Sequence, residues 1–304
     1  MWFARKSTAP VGLLGVEIGP EGIALARVQR LPGERPRLLE CSFHEAPLAE
    51  QAVRLKTLVA ELGLTGMPVN LVLHPTTYQM LLLDSPEVSA EELRDAMRWR
   101  VKGLIAEPLD EVVVDAFSLP ADAYRGRSRM AFCAVLGKAR MHVLGQSLRQ
   151  AGLTPKTFDV SEMALRNLGL LAGAEGVNLA LLRLHAREGL IAVQHGADLY
   201  MARRTEQGLD QVGQDGAAIT LEIQRSLDYF ESQLGKGYIS RLLLLPMQRD
   251  GAAALQALTA GLAVQLQALD LRELFPGQAA AELDERQQAN CMTAVGAALR
   301  QEVG

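Results

Sequence analysis

Cysteine is scarce in this 304-residue chain, and its spacing excludes the usual structural roles. Cys41, Cys133 and Cys291 are far apart and form no C-x-x-C pair. An odd number of isolated cysteines encodes neither a disulfide framework nor a zinc site. The five histidines are scattered and form no H-E-x-x-H motif, so we expect no metal site. A reducing, cytoplasmic location suits this cysteine usage best.

Long apolar runs are also missing. The richest stretch, 242–245, stops at Pro246, well short of the roughly 20 residues of a membrane-spanning helix. The start, Met1-Trp2-Phe3-Ala4-Arg5-Lys6, has no apolar core and is not a signal peptide; it is either a weak lipid contact or a frayed terminus.

Neither charge sign dominates, since 31 basic residues stand against 35 acidic ones and the net charge is −4. Binding to nucleic acid depends on neutralising phosphates with an excess of cations, so we expect no nucleic-acid partner. The composition is that of an ordinary globular protein, and a chain of this length usually folds as two domains.

Common catalytic motifs are absent as well. Gly137-Lys138 lacks the upstream glycine of a phosphate-binding loop. Gly145-Gln146-Ser147 lacks the second glycine of a nucleophile elbow and falls in a predicted helix. Acidic pairs such as Glu91-Glu92 stand at helix starts, where capping explains them. The sequence therefore predicts no catalytic residue.

A repeated order of secondary structure is the main positive signal. Three strands, a helix and a fourth strand are predicted in the first part of the chain, and the same order begins again at Val177. The first set is 11–18, 22–29, 37–43, 48–62 and 69–73; the second is 177–184, 189–194, 199–203, 217–234 and 242–245. Aligning Val11 with Val177 pairs Glu17 with Arg183. The repeat predicts a duplicated α/β unit with a cleft between similar halves.

An insert separates the two sets. It consists of a strand at 78–83, a helix capped by Ser89 with Glu92 completing a capping box, and strands at 112–117 and 130–136. The turn between the last two strands carries Arg125, Arg127 and Arg129, which form either a solvated hairpin tip or a contact with anionic lipid or an acidic partner.

The rest of the chain completes the two halves. We predict a helix at 139–151, a strand at 157–160, a helix at 161–171 capped by Ser161, and a closing helix at 286–300 that packs back on the first half. We therefore expect a flexible tail at 1–10, domain I at 11–160 plus 286–304 with its insert at about 75–152, and a reduced domain II at 161–285.

Several segments, together with the duplicated unit and its insert, resemble a known family. The matching segments are 91–99 (EELRDAMRW), 108–115 (PLDEVVVD), 150–153 (QAGL), 158–160 (FDV), 222–230 (EIQRSLDYF) and 296–300 (GAALR). The chain is similar to the actin-like ATPase superfamily and, more narrowly, to the PilM family of type IV pilus assembly proteins, which shares the insert with the cell-division protein FtsA. The shorter second half resembles the MshI-type members of mannose-sensitive haemagglutinin (MSHA) pili. The resemblance implies an α/β protein of the actin-like ATPase fold, with two duplicated α/β domains and a strand-helix-strand-strand insert in the first.

The resemblance also implies a nucleotide cleft, but the residues there depart from the family pattern. The cleft would comprise Glu17, Gly19, Gly22, Arg183, Gly296 and Arg300. Where the family has a glycine and hydroxyl turn for phosphate, this chain has Gly19-Pro20-Glu21-Gly22, in which Pro20 lacks an N–H donor and Glu21 adds negative charge. Arg183 replaces the carboxylate on the metal side.

Two further departures affect the adenosine end of the cleft. Residues 246–249 (PMQR) replace a Gly-Gly turn, and the link of about a dozen residues between Arg204 and Ala217 is too short for the helical subdomain that covers adenine. We therefore expect a pseudo-ATPase without a cofactor. Glu17 and Arg183 either form an ion pair across the cleft or are separately solvated, while Gly296 and Arg300 serve helix packing and a helix C-terminal contact.

Function is then expected at surfaces. By the resemblance, PilM-type proteins bind the N-terminal peptide of a single-span, PilN-type inner-membrane protein in a groove between the first core subdomain and the insert. Here that places the partner site at Arg98, Trp99 and Lys102, with the strands from Tyr78 and Val112. Trp99 either anchors the partner or packs inside the insert.

The expected function is a non-catalytic cytoplasmic scaffold of an MSHA-like type IV pilus platform, peripheral to the inner face of the inner membrane. Other platform proteins are further expected partners, and the cytoplasmic motor ATPase is a further candidate. One alternative is an ATP-binding member of the family in which nucleotide and magnesium regulate the PilN-type interaction. A more distant alternative is a small-molecule kinase, which needs acidic residues and glycine turns that the cleft lacks.

Overall fold

Short apolar strands pair into three sheets in the computed structural model, which describes residues 11–124, 129–234 and 236–301. The first sheet has the order β3-β2-β1-β4-β8. Its members and the first helix are β1 (Leu13–Ile18), β2 (Gly22–Gln29), β3 (Arg37–Glu45), α1 (Gln51–Glu61), β4 (Pro68–Leu73) and β8 (Thr154–Val160). The first three strands form an antiparallel meander, and β4 and β8 add to β1 in parallel.

The second sheet repeats this plan in the order β11-β10-β9-β12-β13. It is built from β9 (Asn178–Leu184), β10 (Gly189–His195), β11 (Asp198–Thr205), α5 (Leu209–Gln233), β12 (Arg241–Leu244), α6 (Gly251–Gly261) and β13 (Leu266–Ala268). The meander is again antiparallel, and β12 and β13 extend it in parallel. The predicted duplication of an α/β unit is confirmed.

The second half contains elements that the sequence pattern did not predict. Helix α5 begins at Leu209, two turns before the predicted start, so only Glu206, Gln207 and Gly208 separate it from β11. The sequence also predicts Gly235 as the stop of this helix, and this residue lies outside the described residues. Helices α6, α7 (Leu271–Leu274) and α8 (Gln278–Ala281) and strand β13 were missed, because short or Ala-rich segments carry little periodic signal.

The insert forms its own three-stranded antiparallel sheet, ordered β5-β7-β6 and covered by one helix. Its elements are β5 (Gln79–Asp84), α2 (Ala90–Arg100), β6 (Val112–Ser118) and β7 (Met130–Gly137). Leu93 and Met97 of α2 pack on the sheet. The predicted capping box is confirmed, since the Ser89 hydroxyl accepts from the Glu92 amide and the Glu92 carboxylate accepts from the Ser89 amide. Arg125 and Arg127 lie outside the described residues, and Arg129 is exposed.

Three helices complete the halves. Helix α3 (Lys138–Gln150) packs on α1, while α9 (Glu285–Ala298) crosses α4 (Ser161–Leu171) and lies on the first sheet, as predicted for the closing helix. The prediction that Ser161 caps α4 is wrong. Val160 holds the N-cap position, and the Ser161 hydroxyl donates 3.0 Å to the Leu73 carbonyl instead, which ties the start of α4 to the end of β4.

No helix in the described part of the chain is long and apolar enough to cross a bilayer.

Candidate functional site

The cleft between the halves contains a buried cluster of charged and titratable side chains. Glu17 is the penultimate residue of β1 and Arg183 the penultimate residue of β9, and these side chains are only 5% and 6% exposed. His74 follows β4 and His185 follows β9 directly, with ring centroids 6.4 Å apart. The carboxyl ends of parallel strands thus bring all four together, at the place where open α/β sheets usually bind ligands.

Neither alternative for Glu17 and Arg183 is correct, because these two side chains form no ion pair and both are buried rather than solvated. One carboxylate oxygen of Glu17, Oε2, accepts a hydrogen bond from the Thr293 hydroxyl of α9. The other oxygen, Oε1, and the Nη1 nitrogen of Arg183 are buried without hydrogen-bond partners. Thr293 of α9, rather than Arg183, therefore binds the Glu17 carboxylate. One polar atom of each of the two side chains, Glu17 and Arg183, remains without a hydrogen-bond partner.

The two histidines of the cleft are held in the neutral form. The Arg183 guanidinium, together with burial, lowers the pKa of His185 to about 3. Burial lowers the pKa of His74, which also lies close enough to Glu17 and Arg183 to be affected by both charges. The buried Nε2 of His185 has no partner either. The cluster therefore places two imidazoles that are neutral near pH 7 beside the Glu17 and Arg183 side chains.

The turn that corresponds to a phosphate loop has few free backbone N–H groups that could donate to a phosphate. The Gly19 amide already donates 3.0 Å to the Gly22 carbonyl, and Pro20 has no amide proton. The Gln248 side-chain amide donates 3.2 Å to the Glu21 carboxylate and 2.7 Å to Asn290, so this carboxylate joins the two halves. Gly22 is needed for strand pairing, because a Cβ there would lie 2.2 Å from the His44 carbonyl oxygen.

The cleft residues do not fit a magnesium nucleotide. A phosphate would meet the Glu21 carboxylate, and a metal ion would meet Arg183 in place of a ligand. The described residues contain no group of three or more His, Cys, Asp or Glu side chains placed to hold a metal. We therefore derive no chemical step through nucleotide in this cleft.

The remaining two predicted cleft residues lie elsewhere. Gly296 sits where α9 crosses α4, and a Cβ there would lie 2.2 Å from the Ala164 carbonyl oxygen. Asn167 of α4 donates 2.9 Å to the Gly296 carbonyl. Arg300 pairs with the buried Asp159 at 2.7 Å, while the last turn of α9 is contacted by Arg30, which donates to the Leu299 carbonyl.

A groove of about 520 Å³ separates the insert from the first half. Its lining comprises residues 113–117 of β6, 156–160 of β8, Leu73, Arg94, Ala134, Leu136, Met141, Met163 and Arg300. β6 and β8 are both edge strands of their sheets. Consecutive residues of each strand line the groove, so it faces the strand edges rather than a sheet face. We refer to it as the β6–β8 groove.

The β6–β8 groove combines apolar walls with polar atoms that lack partners. The Thr157 hydroxyl and the Nε nitrogen of Arg300 are buried and unpaired. Among the cations that line it, Arg300 is neutralised by Asp159, whereas Lys156 is exposed. The strand from Val112, which the resemblance implies for the partner groove, is β6 and lines the β6–β8 groove, whereas the strand from Tyr78 does not. Sequence patterns did not indicate β8 as part of the groove, since it lies about 40 residues after β6 and in a different sheet.

The predicted partner-binding residues lie on α2 and just after it, outside this lining. Arg98 donates to the Leu109 carbonyl, and the Lys102 ammonium lies 5.8 Å from the centre of the Trp99 ring. Trp99 is 69% exposed, so the alternative that it packs inside the insert is wrong. Arg94, on the same helix, does line the groove.

Solved structures with the same arrangement identify the fold. One chain of a PilM–PilN type IV pilus biogenesis complex superposes over 95% of this chain and 98% of its own length, with a TM-score of 0.75 at 21% identity. A Bacteroides thetaiotaomicron protein of unknown function with an actin-like ATPase fold covers 88% of this chain and 94% of its own, with a TM-score of 0.54 at 12% identity.

A third structure is the cytoplasmic domain of EpsL, an inner-membrane component of the type II secretion system of Vibrio cholerae. It covers 92% of this chain and 93% of its own, with a TM-score of 0.50 at 11% identity. No protein-family model matches the chain, and no curated protein sequence is significantly similar to it. The repeated sheet order and these similarities show that the chain has the actin-like ATPase fold.

Proposed function

We propose that this chain is a PilM-like component of type IV pilus assembly that binds the N-terminal segment of a PilN-type membrane protein. The observation that carries the proposal is the similarity, over 95% of the chain, to a chain of a PilM–PilN complex. It is supported by the β6–β8 groove, which lies between the first half and the insert, where the family resemblance places the partner peptide.

The groove suits an extended peptide. Both of its long walls are strand edges, which present backbone N–H and C=O groups to a ligand that adopts a β conformation. Apolar side chains such as Val113 and Met141 would receive alternate side chains of that ligand. Thr157 and Lys156 add a hydroxyl and a positive charge for polar or acidic groups.

Within this function we propose a non-catalytic scaffold of an MSHA-like system, located in the cytoplasm at the inner membrane. The absence of catalysis is supported by Pro20, Glu21 and Arg183 in the cleft, which leave no site for phosphate and metal. Arg98, Trp99 and Lys102 lie outside the groove and become secondary contacts rather than the centre of the partner site. An ATP-regulated form of the same interaction is the second candidate, because the fold is that of actin-like ATPases.

Peptide binding tests the proposal. A labelled synthetic peptide of the N-terminal residues of the PilN-type protein from the same organism would be titrated with the purified chain by fluorescence anisotropy. We expect binding that Thr157→Phe, which fills the groove, weakens by about tenfold or more. Lys156→Glu probes the charge, and Lys56→Glu on the exposed face of α1 is its matched control. Failure of the peptide to bind, or equal binding by the groove variants, would reject the groove.

Nucleotide binding distinguishes the two candidates. We expect calorimetric titration of Mg-ATP to show no heat and thermal melting to show no shift. A ligand at about 100 times its dissociation constant would raise the free energy of unfolding by about 2.7 kcal/mol, so binding would be visible. A clear shift would favour the ATP-regulated form.

A further inference from the structure

We propose that the end of helix α2 is a contact site for an anionic lipid surface. The site, which we call the α2 tip, consists of Trp99, Arg100, Lys102 and Leu104. It is distinct from the β6–β8 groove and from the cleft, and its lipid contact does not depend on the partner proposed above.

The α2 tip exposes two large apolar side chains to solvent. Trp99 is 69% exposed and Leu104 is 55% exposed, whereas Leu93 and Met97 of the same helix are buried in the core of the insert. An exposed tryptophan and an exposed leucine close together in sequence are typical of a surface that meets a partner or a membrane interface.

The backbone holds these side chains outward. Val101 is fully buried, and Ile105 packs on the core of the insert, so the two residues anchor the tip on either side. Between them the chain turns, with the Leu104 amide donating 2.9 Å to the Val101 carbonyl and Gly103 at a φ of +91°. Lys102 and Leu104 are therefore held in a hydrogen-bonded turn that directly follows α2, whose last residues include Trp99.

The local charge points to an anionic partner. Residues 98–106 (RWRVKGLIA) contain three cations and no acidic residue; the exposed Asp95 and Glu107 flank this stretch, and the whole chain has a net charge of −4. Arg100 and Lys102 are exposed, and the Lys102 ammonium lies over the Trp99 ring. Indole rings favour the headgroup level of a bilayer, and each lysine or arginine near an anionic surface increases binding about fivefold.

The position of the tip also agrees with a membrane. Arg94 lines the β6–β8 groove, and Trp99 follows it by five residues, roughly 7.5 Å along the same helix. If the groove holds the N-terminal segment of a membrane-spanning protein, as the proposed function requires, the tip is on an element that the bilayer approaches. This step alone rests on the proposed function.

Vesicle flotation with the purified chain, in the absence of any partner, tests the proposal. We expect the chain to float with vesicles that contain phosphatidylglycerol and not with pure phosphatidylcholine, and to lose binding as salt is raised. Arg100→Glu combined with Lys102→Glu is expected to lower binding at least about tenfold. Trp99→Ala is expected to weaken it, and Tyr238→Ala, an 84% exposed tyrosine of the second half, is the matched control.

Fluorescence locates the contact. The chain has two tryptophans, so Trp2→Phe leaves Trp99 as the only emitter, and its emission is expected to shift to the blue on anionic vesicles. Absence of flotation with anionic vesicles would overturn the proposal. Flotation that the α2-tip variants leave unchanged would also overturn it, because the lipid contact would then lie elsewhere. If the α2-tip variants lost peptide binding but kept vesicle binding, the tip would be a protein contact and the proposal would again fail.

Discussion

Replacing Gly296 with alanine tests whether the close crossing of α9 and α4 sets the architecture. A Cβ at this position would lie 2.2 Å from the Ala164 carbonyl oxygen and 2.7 Å from its carbonyl carbon. Because the obstructing atoms are backbone, the helices must separate by about 1 Å to restore ordinary contact. The hydrogen bond from Asn167 to the Gly296 carbonyl would be disturbed as well.

The expected cost in the free energy of unfolding follows from two destabilising contributions and one stabilising contribution. Overpacking a core costs about 1–3 kcal/mol, and the lost hydrogen bond adds about 1 kcal/mol, while alanine gains about 1 kcal/mol over glycine in a helix. We therefore expect Gly296→Ala to lower the free energy of unfolding by about 2 kcal/mol, measured by urea denaturation followed by circular dichroism.

A second helical glycine is the control. A Cβ on Gly216 of α5 would meet its nearest neighbour, the Ala257 methyl group, at an ordinary 3.7 Å. Gly216→Ala is expected to leave stability unchanged or raise it by about 0.5–1 kcal/mol. If Gly296→Ala were as stable as Gly216→Ala, the close approach of α4 and α9 would be refuted as the reason for glycine at this position.

Three further predictions concern the buried polar side chains. Arg183→Met should raise the pKa of His185 from about 3 toward 6.5, measured by NMR, because the Arg183 charge is the main cause of the low value; an unchanged pKa would contradict this. The pKa of His185 is near 6.5 in the unfolded chain and about 3 in the folded chain, so below pH 6.5 the unfolded chain binds a proton that the folded chain does not. The free energy of unfolding should therefore fall by about 1.5 kcal/mol from pH 6.5 to pH 5. His185→Gln should remove most of that loss. Tyr78→Phe should cost about 1.5–3 kcal/mol in thermal or urea unfolding, because the Tyr78 hydroxyl donates to the buried Glu162 carboxylate and accepts from the Ser161 amide; wild-type stability would show that another group satisfies Glu162.

Local elements were predictable because their signals are local. Strand β2 was predicted with its observed ends, and the Ser89–Glu92 capping box fixes the start of α2, since turn residues and caps act within a few positions of one another. The duplication could also be predicted from the sequence, because the order of strands and helices repeats although few residues are identical between the two halves. Ser161 shows the limit of such reasoning, since a residue typical of caps is used for a tertiary hydrogen bond to Leu73.

Sequence patterns alone predict the α/β class, the two similar halves and the insert, which the structure confirms, while the loss of phosphate binding at Pro20 and Glu21 stays a prediction. The surroundings of three side chains became known only from the tertiary structure. Glu17 is bound by Thr293 rather than by Arg183. Arg300 lines the β6–β8 groove, and Trp99 is exposed. The physical reason is that these properties depend on contacts between residues far apart in the chain. The periodicity of apolar residues in the sequence indicates which face of a strand or helix is buried. It does not indicate which side chain from a distant part of the chain packs against that face.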